Sequence, residues 1–459
     1  MSCRDVLAEL WHGMQLPQEA LACVTLTGAD PVYPSSFAVG AAAQATIAAA
    51  ALAACELGHL RGTPRQRVAV AMAHAAAECT GWFSLDGRVP DLWDAFSGLY
   101  KARDGWVRVH ANFAHHRDGA LQLLGLDPAT ASRIDAQQAM LQWDALAFEA
   151  AAAERRLVVA ALRSFAQWDA TDQGQAVAAQ PLMTIERIGD AAPLRLPVLE
   201  ARQRPLQGVR VLDLTRILAG PVGGRALAAY GADVMLLNGP HLPNIEAIAD
   251  TSRGKRSALL DLRTEEGKAT LRDSLGGSHV FVQGYRPGGL RDLGFGPRET
   301  AALRPGIVHV SLTAYGTQGP WHERRGFDSL VQAATGFNLA EAEAAGTPDQ
   351  PRALPMQILD QATGYLISFG AAAALRRQQL EGGSWHVQVS LAQTAHWLRG
   401  LGRPENAFSV EAPAREPWLE TTPSGFGALC ALRHSAQLSR TPAAWTLPSM
   451  PPGSSPTRW

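Results

Sequence analysis

Val209-Arg210-Val211-Leu212-Asp213-Leu214 is an apolar run of strand length, and Ala219-Gly220-Pro221 comes closely behind it to open a helix running to about Tyr230. Beyond it, Ala232-Asp233-Val234-Met235-Leu236-Leu237 reads as a second strand. Thr264-Glu265-Glu266-Gly267 starts another helix, because a hydroxyl cap precedes acids in the first turn. His279-Val280-Phe281-Val282-Gln283 and Ile307-Val308-His309-Val310-Ser311 are further strands. Strands this short and apolar, with helices between them, predict a parallel sheet covered on both faces. The expected class is α/β, with a Rossmann-like sheet in residues 206–459 and a tail behind it.

Residues 1–205 read differently, as a mostly helical α+β half. Leu141 to Gln167 is continuous in helix formers, and Gly105-Trp106-Val107-Arg108-Val109-His110 reads as a hairpin strand after the turn signal Ala102-Arg103-Asp104-Gly105. An echo links the halves. Gly62-Thr63-Pro64-Arg65-Gln66-Arg67-Val68-Ala69-Val70-Ala71-Met72 resembles Glu381-Gly382-Gly383-Ser384-Trp385-His386-Val387-Gln388-Val389-Ser390-Leu391, each behind an alanine-rich helix and ahead of another helix. This predicts a partial internal duplication. Aligning Gly40 with Gly364 sets Ser36 opposite Asp360, so the first copy lacks that carboxylate.

A length of 459 residues suggests two to three domains, and 47% hydrophobic with 18% charged residues describes a soluble globular chain. The net charge of -1 gives no sign of a nucleic-acid or anionic-membrane partner. Cys3, Cys23, Cys55, Cys79 and Cys430 form no CxxC pair, which argues against a disulfide framework or zinc site and fits a reducing cytoplasm. No apolar run succeeds a basic start at Met1-Ser2-Cys3-Arg4-Asp5, so no signal peptide is expected. Phe37 to Leu57 is built on alanine and carries Gly40, Gln44 and Glu56, which predicts a buried helix and not a membrane span.

Asp360 is the candidate of most chemical interest. It lies in Ile358-Leu359-Asp360-Gln361-Ala362-Thr363-Gly364-Tyr365, at the mouth of a helix that continues through Gly370-Ala371-Ala372-Ala373-Ala374-Leu375. There the helix dipole is expected to keep it ionised and aim it outward. A carboxylate so placed can attack a thioester carbonyl. It can equally be a helix N-cap.

In their joint order these residues resemble class III (CaiB/BaiF) CoA-transferases, the group of formyl-CoA and carnitine-CoA transferases with the related alpha-methylacyl-CoA racemases. The resemblance runs from Pro205 to about Leu401. It rests on Leu206-Gln207-Gly208-Val209 through Thr215, Ala219-Gly220-Pro221, Gly254-Lys255-Arg256-Ser257, Gly284-Tyr285-Arg286-Pro287-Gly288, Tyr315-Gly316-Thr317-Gln318-Gly319-Pro320 and Gly326-Phe327-Asp328 before Asp360. Leu99-Tyr100-Lys101-Ala102-Arg103-Asp104-Gly105-Trp106 and Gly119 to Leu126 resemble the family's small domain.

The resemblance implies that Asp360 is a nucleophile carrying CoA from an acyl-CoA to a carboxylic acid through an aspartyl-CoA thioester. It implies CoA as substrate and no metal or tightly bound cofactor. Arg253, Lys255 and Arg256, with Tyr285 and Arg286, become candidates for the carrier's phosphate end. Ala219, Gly220 and Pro221 become a turn that brings ligand near backbone amides or simply starts a helix. Phe327 stands where the racemases have a histidine, which disfavours racemisation. His309, His322, His386 and His396 read as core or surface residues. Leu218, Asn238, Gly284 and the order Arg291-Asp292 depart from the family pattern, and a catalytically silent CoA-binding paralogue is the alternative. Family members form interlocked dimers, so this chain is expected to be a homodimer or a monomer whose halves replace the partner.

Overall fold

The computed structural model describes residues 2–459. Seven strands form its main sheet: β1 (Met183–Gly189), β2 (Arg210–Leu214), β3 (Asp233–Asn238), β4 (Lys255–Leu259), β5 (Val280–Gln283), β6 (Val308–Thr313) and β7 (Ser384–Ser390). Their order is β4-β3-β2-β5-β6-β7-β1, with all neighbours parallel except β1, which runs antiparallel to β7 along one edge. Val211, Leu212, Val234, Met235, Val280, Phe281, Val308 and Val310 are buried, as expected for strands covered on both faces. The four expected strands are present within two residues of their expected ends. β4 escaped the reading because it begins Lys255-Arg256-Ser257, which carries no apolar signal.

Four helices position the functional residues: α1 (Val39–Leu60), α2 (Ala219–Ala229), α3 (Asp328–Thr335) and α4 (Ile358–Glu381). α1 and α4 pack along one another and α4 also packs on α2. Both α1 and α4 are long and apolar enough to cross a membrane, and both are buried inside the protein. The contact between α2 and α4 is close enough that a Cβ on Gly364 would lie 2.7 Å from the carbonyl oxygen of Ala219. Glycine there lets the start of α2 approach the first turns of α4.

The change of pattern at Pro205 is not a break in packing. One core runs from Val6, Trp11 and α1 through the sheet to α4 and Leu438, and β1 belongs to the main sheet. Tyr365 of α4 donates a hydrogen bond to Glu78 at 2.6 Å, tying the halves together inside that core. A second, smaller core surrounds the antiparallel strands Gly98–Lys101, Trp106–Val109 and Val159–Ala161. Leu141 to Gln167 is therefore not one helix. Ala145–Glu154 ends at Arg156, which takes φ 57°, and Val159–Ala161 pairs with the hairpin before Ser164 caps a new turn of helix. The β-branched pair Val158-Val159 gains more from sheet packing than from helix.

The duplication is visible as geometry, with a corrected register. Val24–Thr27 pairs in parallel with Val68–Ala71, as β6 does with β7. Asp30 of Gly28-Ala29-Asp30 accepts from the backbone N–H groups of Gly40 and Ala41. Asp328 of Gly326-Phe327-Asp328 accepts likewise from Leu359 and Asp360. The residue opposite Asp360 is thus Ala41. Ser36 precedes α1 and is bound by Glu341 instead.

The basic cluster expected at the carrier's phosphates is engaged within the protein. Lys255 is fully buried, donating to Asp213 at 2.8 Å and to the Pro221 carbonyl at 2.7 Å. Arg253 is buried on the Trp445 ring, pairs with Asp250 at 2.6 Å and donates to the Leu432 carbonyl. Arg256 pairs with Asp233 through two hydrogen bonds. None of the three lines the cavity over the carboxyl ends of β2 and β5. Removing the buried ammonium leaves Asp213 without its counter-charge, so Lys255→Met is expected to cost about 3–5 kcal/mol in chemical denaturation. Arg256→Gln, at a half-exposed pair, should cost less than about 1 kcal/mol. A stable Lys255→Met protein that had lost CoA binding would return Lys255 to the ligand site.

Candidate active site

The chain leaves β2 toward β3 and β4 on one side and returns through β5, β6 and β7 on the other. Connections therefore diverge above the carboxyl ends of β2 and β5, which opens a crevice there. A cavity of about 350 Å³ occupies that position. Arg216, Leu218 and Ala219 line it from beyond β2, Tyr285 and Arg286 from beyond β5, and Asp360 from the first turn of α4. Phe113, His115 and His116 close it from the first half. The cavity is thus assembled by both halves of one chain.

Asp360 is not the cap of its helix. The N-cap position is Gln357, whose side chain makes no capping bond, and the role is filled by Asp328 from α3. The Asp328 carboxylate accepts from the Asp360 N–H at 3.0 Å, from the Leu359 N–H and from Gln332 Nε2. No protein group among the described residues hydrogen-bonds the Asp360 carboxyl, which is left free at the cavity wall.

Burial overrides the helix dipole at this acid. Desolvation, and after it the charge of Asp328, raise the Asp360 pKa well above the carboxylate range. Burial also raises Asp328, to about 6, where its hydrogen bonds and Arg108 hold it down. Within this pair Asp360 therefore holds a proton in preference to Asp328. Burial and the Asp328 charge thus work against the resting carboxylate that the helix dipole alone would favour.

Of the three residues that open α2, only Ala219 lines the cavity. Gly220 presses on Thr215, where a Cβ would sit 2.3 Å away, and the Pro221 carbonyl is taken by Lys255. Ile217, also on the cavity wall, has φ 76°, a conformation costly for a β-branched residue. Tyr285 and Arg286 both line the cavity. Phe327 stacks on His110, with centroids 4.0 Å apart and planes at 13°. Burial and Arg108 hold His110 down, to about 3. His309 and His386 are buried in the sheet, and His322 and His396 face outward.

The sequence reading misses Arg216, Arg325, Phe113, His115 and His116. Arg216 lies between Thr215 and Ala219, and its position beyond a strand end was a usable signal. The first-half residues gave none, because only tertiary packing brings the helix Ala114–Leu123 over the sheet.

Residues 206–416 match the model of CoA-transferase family III. An acyl-CoA transferase of Gibberella moniliformis is 30% identical over 69% of this chain and 54% of its own length. A probable fatty acyl-CoA transferase of Mycobacterium tuberculosis, Rv3272, is 31% identical over 47% of this chain and 58% of its own. A crystal structure of Rv3272 aligns with TM-score 0.40 and 32% identity, covering 43% of this chain and 56% of that one. The chain spans little more than half the length of these curated relatives. Over residues 206–416, it is similar to CoA-transferase family III.

Proposed function

We propose that the chain transfers CoA from an acyl-CoA to a carboxylic acid, with Asp360 as the covalent carrier. The observation that carries this reading is the free Asp360 carboxyl at the wall of a cavity over the sheet's topological switch. The match of residues 206–416 to the model of family III supports it.

Once ionised, a carboxylate oxygen of Asp360 attacks the thioester carbon, and the carbon–sulfur bond breaks to release CoA thiolate. The thiolate then attacks the Asp360 carbonyl of the mixed anhydride. The donor leaves as a carboxylate and Asp360 becomes a thioester. An acceptor carboxylate repeats the steps in reverse, leaving as its own CoA thioester and restoring Asp360. Asp328 does not react; it fixes the first turn of α4 and sets the proton affinity of its neighbour. Phe327, packed against His110, disfavours a racemase.

This sequence of bond changes moves one oxygen from acceptor to enzyme. With an acceptor labelled by ¹⁸O in both carboxyl oxygens, a single transfer should add about 2 Da to the Asp360 peptide. Asp360→Asn should lower transfer by more than about 1,000-fold. CoA binding without transfer or label, whatever the donor, would favour the silent paralogue.

The raised pKa of Asp360 fixes two signs. Transfer should rise with pH as its proton is lost. In Asp328→Asn, which lacks the neighbouring charge, that limb should move to lower pH. For stability, a carboxyl raised on folding contributes fully below its unfolded pKa of about 3.9, and the contribution is lost as pH climbs toward the folded value. Asp360→Asn should thus melt above the wild type at about pH 8, with the gap closing near pH 4. An unchanged gap across that range would mean that Asp360 is ionised when buried.

A further inference from the structure

We propose that a second cavity, at the amino ends of the sheet strands, binds a planar aromatic ring that carries an anionic group, as a nucleotide does. The proposal concerns another part of the molecule and stands independently of the CoA-transfer reading.

This cavity of about 810 Å³ lies where Arg253 and Gly254 lead into β4. The Gly254 N–H donates to the Leu447 carbonyl at 2.9 Å, and the Ala444 N–H to the carbonyl of Ala229 at the end of α2. Asp360 lines the other cavity, beyond the carboxyl ends of the same parallel strands. An acid that reacts at Asp360 is therefore not the ligand here. Three parts of the chain build the wall: His74 from the first half, Arg253 from the sheet, and residues 417–449 from the tail. That stretch of tail lies beyond the residues that match the family model.

Local pairing sets a ring beside a cation. Leu419–Ser424 and Gly427–Leu432 form a hairpin in which Leu419 stands opposite Leu432. Trp418 and Arg433, just outside that pair, are neighbours. The Arg433 N–H donates to the Trp418 carbonyl at 2.8 Å, and its guanidinium donates to the Pro417 carbonyl at 2.7 Å. One face of the Trp418 indole is held by His74, with centroids 4.8 Å apart and planes at 6°. His74 is fixed in turn, because its Nε2 donates to the Arg433 carbonyl at 3.1 Å. Trp445 is held from within by Arg253, 3.8 Å from its ring centroid, and by its own Nε1, which donates to the Arg225 carbonyl. Both indoles are half-buried and line the cavity. Their planes are set before any ligand arrives, which lowers the ordering cost of stacking on them.

Charge and lining narrow the ligand. Burial lowers His74 and holds His434 down, to about 4, so both imidazoles are neutral near pH 7. Arg253 is balanced by Asp250 and Glu420. Arg433 is exposed and pairs with no carboxylate among the described residues. A cationic ring would be repelled by both arginines. A sugar would need more polar partners than Pro417, Pro423, Pro442, Ala443 and Pro448 offer. An aromatic ring on Trp418 instead sets an acidic substituent beside Arg433. The volume lies in the range of about 300–1,000 Å³ that encloses such ligands. Two sources carry this chemistry, a free mononucleotide and the nucleotide end of CoA.

The test is calorimetric titration of the full chain with AMP, adenosine and ribose 5-phosphate. AMP should bind about tenfold or more tightly than either part. Arg433→Gln should weaken AMP about tenfold and leave adenosine unchanged. Trp418→Leu should weaken both about tenfold, with Trp418→Phe recovering part of the loss. Arg433 is exposed, so its variant decides the matter even where Trp418→Leu does not fold. No binding of AMP, or AMP binding unchanged in both variants, would overturn the proposal. Ribose 5-phosphate binding as tightly as AMP would overturn the role of the ring. Titration with CoA separates the sources and upholds the site either way. CoA affinity that falls in Arg433→Gln as AMP affinity does assigns the site to the carrier, and CoA affinity that holds assigns it to a free nucleotide.

Discussion

The carboxylate of Asp328 on the first N–H groups of α4 is the interaction on which the rest of the site depends. It fills the place of the helix's own cap and so frees the carboxyl of Asp360 from that role. It also sets a charge beside a buried acid, which raises the cost of a second charge there. One hydrogen-bonded residue thus positions the first turn and governs its protonation. The tight approach of α2 to α4 at Gly364 then brings the strand-end loop carrying Arg216 and Ala219 toward the same turn.

The same device occurs twice in the chain. Asp30 caps α1 as Asp328 caps α4, and the two long helices pack together in one core. The copies differ at the next position, where Ala41 stands opposite Asp360. The first copy keeps its capping acid and lacks the second carboxyl. Phe113, His115 and His116, from the same half as the first copy, close the cavity at Asp360.

How much of this could be read from residues depends on which forces are local. β2, β3, β5 and β6 were legible because burial on both faces leaves an unbroken apolar run. β4 was not, since its burial depends on Lys255 meeting Asp213 forty-two residues away. The break at Arg156 was missed because alanine and arginine on either side favour helix, while Val158 and Val159 answer to a distant hairpin. The place of Asp360 in the first turn of a helix was legible from the apolar run and alanine-rich stretch around it. Its protonation was not, because Asp328 and the burial of both acids are tertiary facts. The engagement of Arg253, Lys255 and Arg256 by acids was not legible either, because Asp250, Asp213 and Asp233 meet them only in the folded chain.

The central claim is that Asp360 becomes covalently loaded from an acyl-CoA. The most direct measurement is to incubate the intact protein with a panel of acyl-CoA donors, quench with hydroxylamine, and map the peptides by mass spectrometry. The account predicts a hydroxamate confined to the peptide that contains Asp360, absent from Asp360→Asn and from samples without donor. A hydroxamate on another residue, or none from a donor that is turned over, would contradict it.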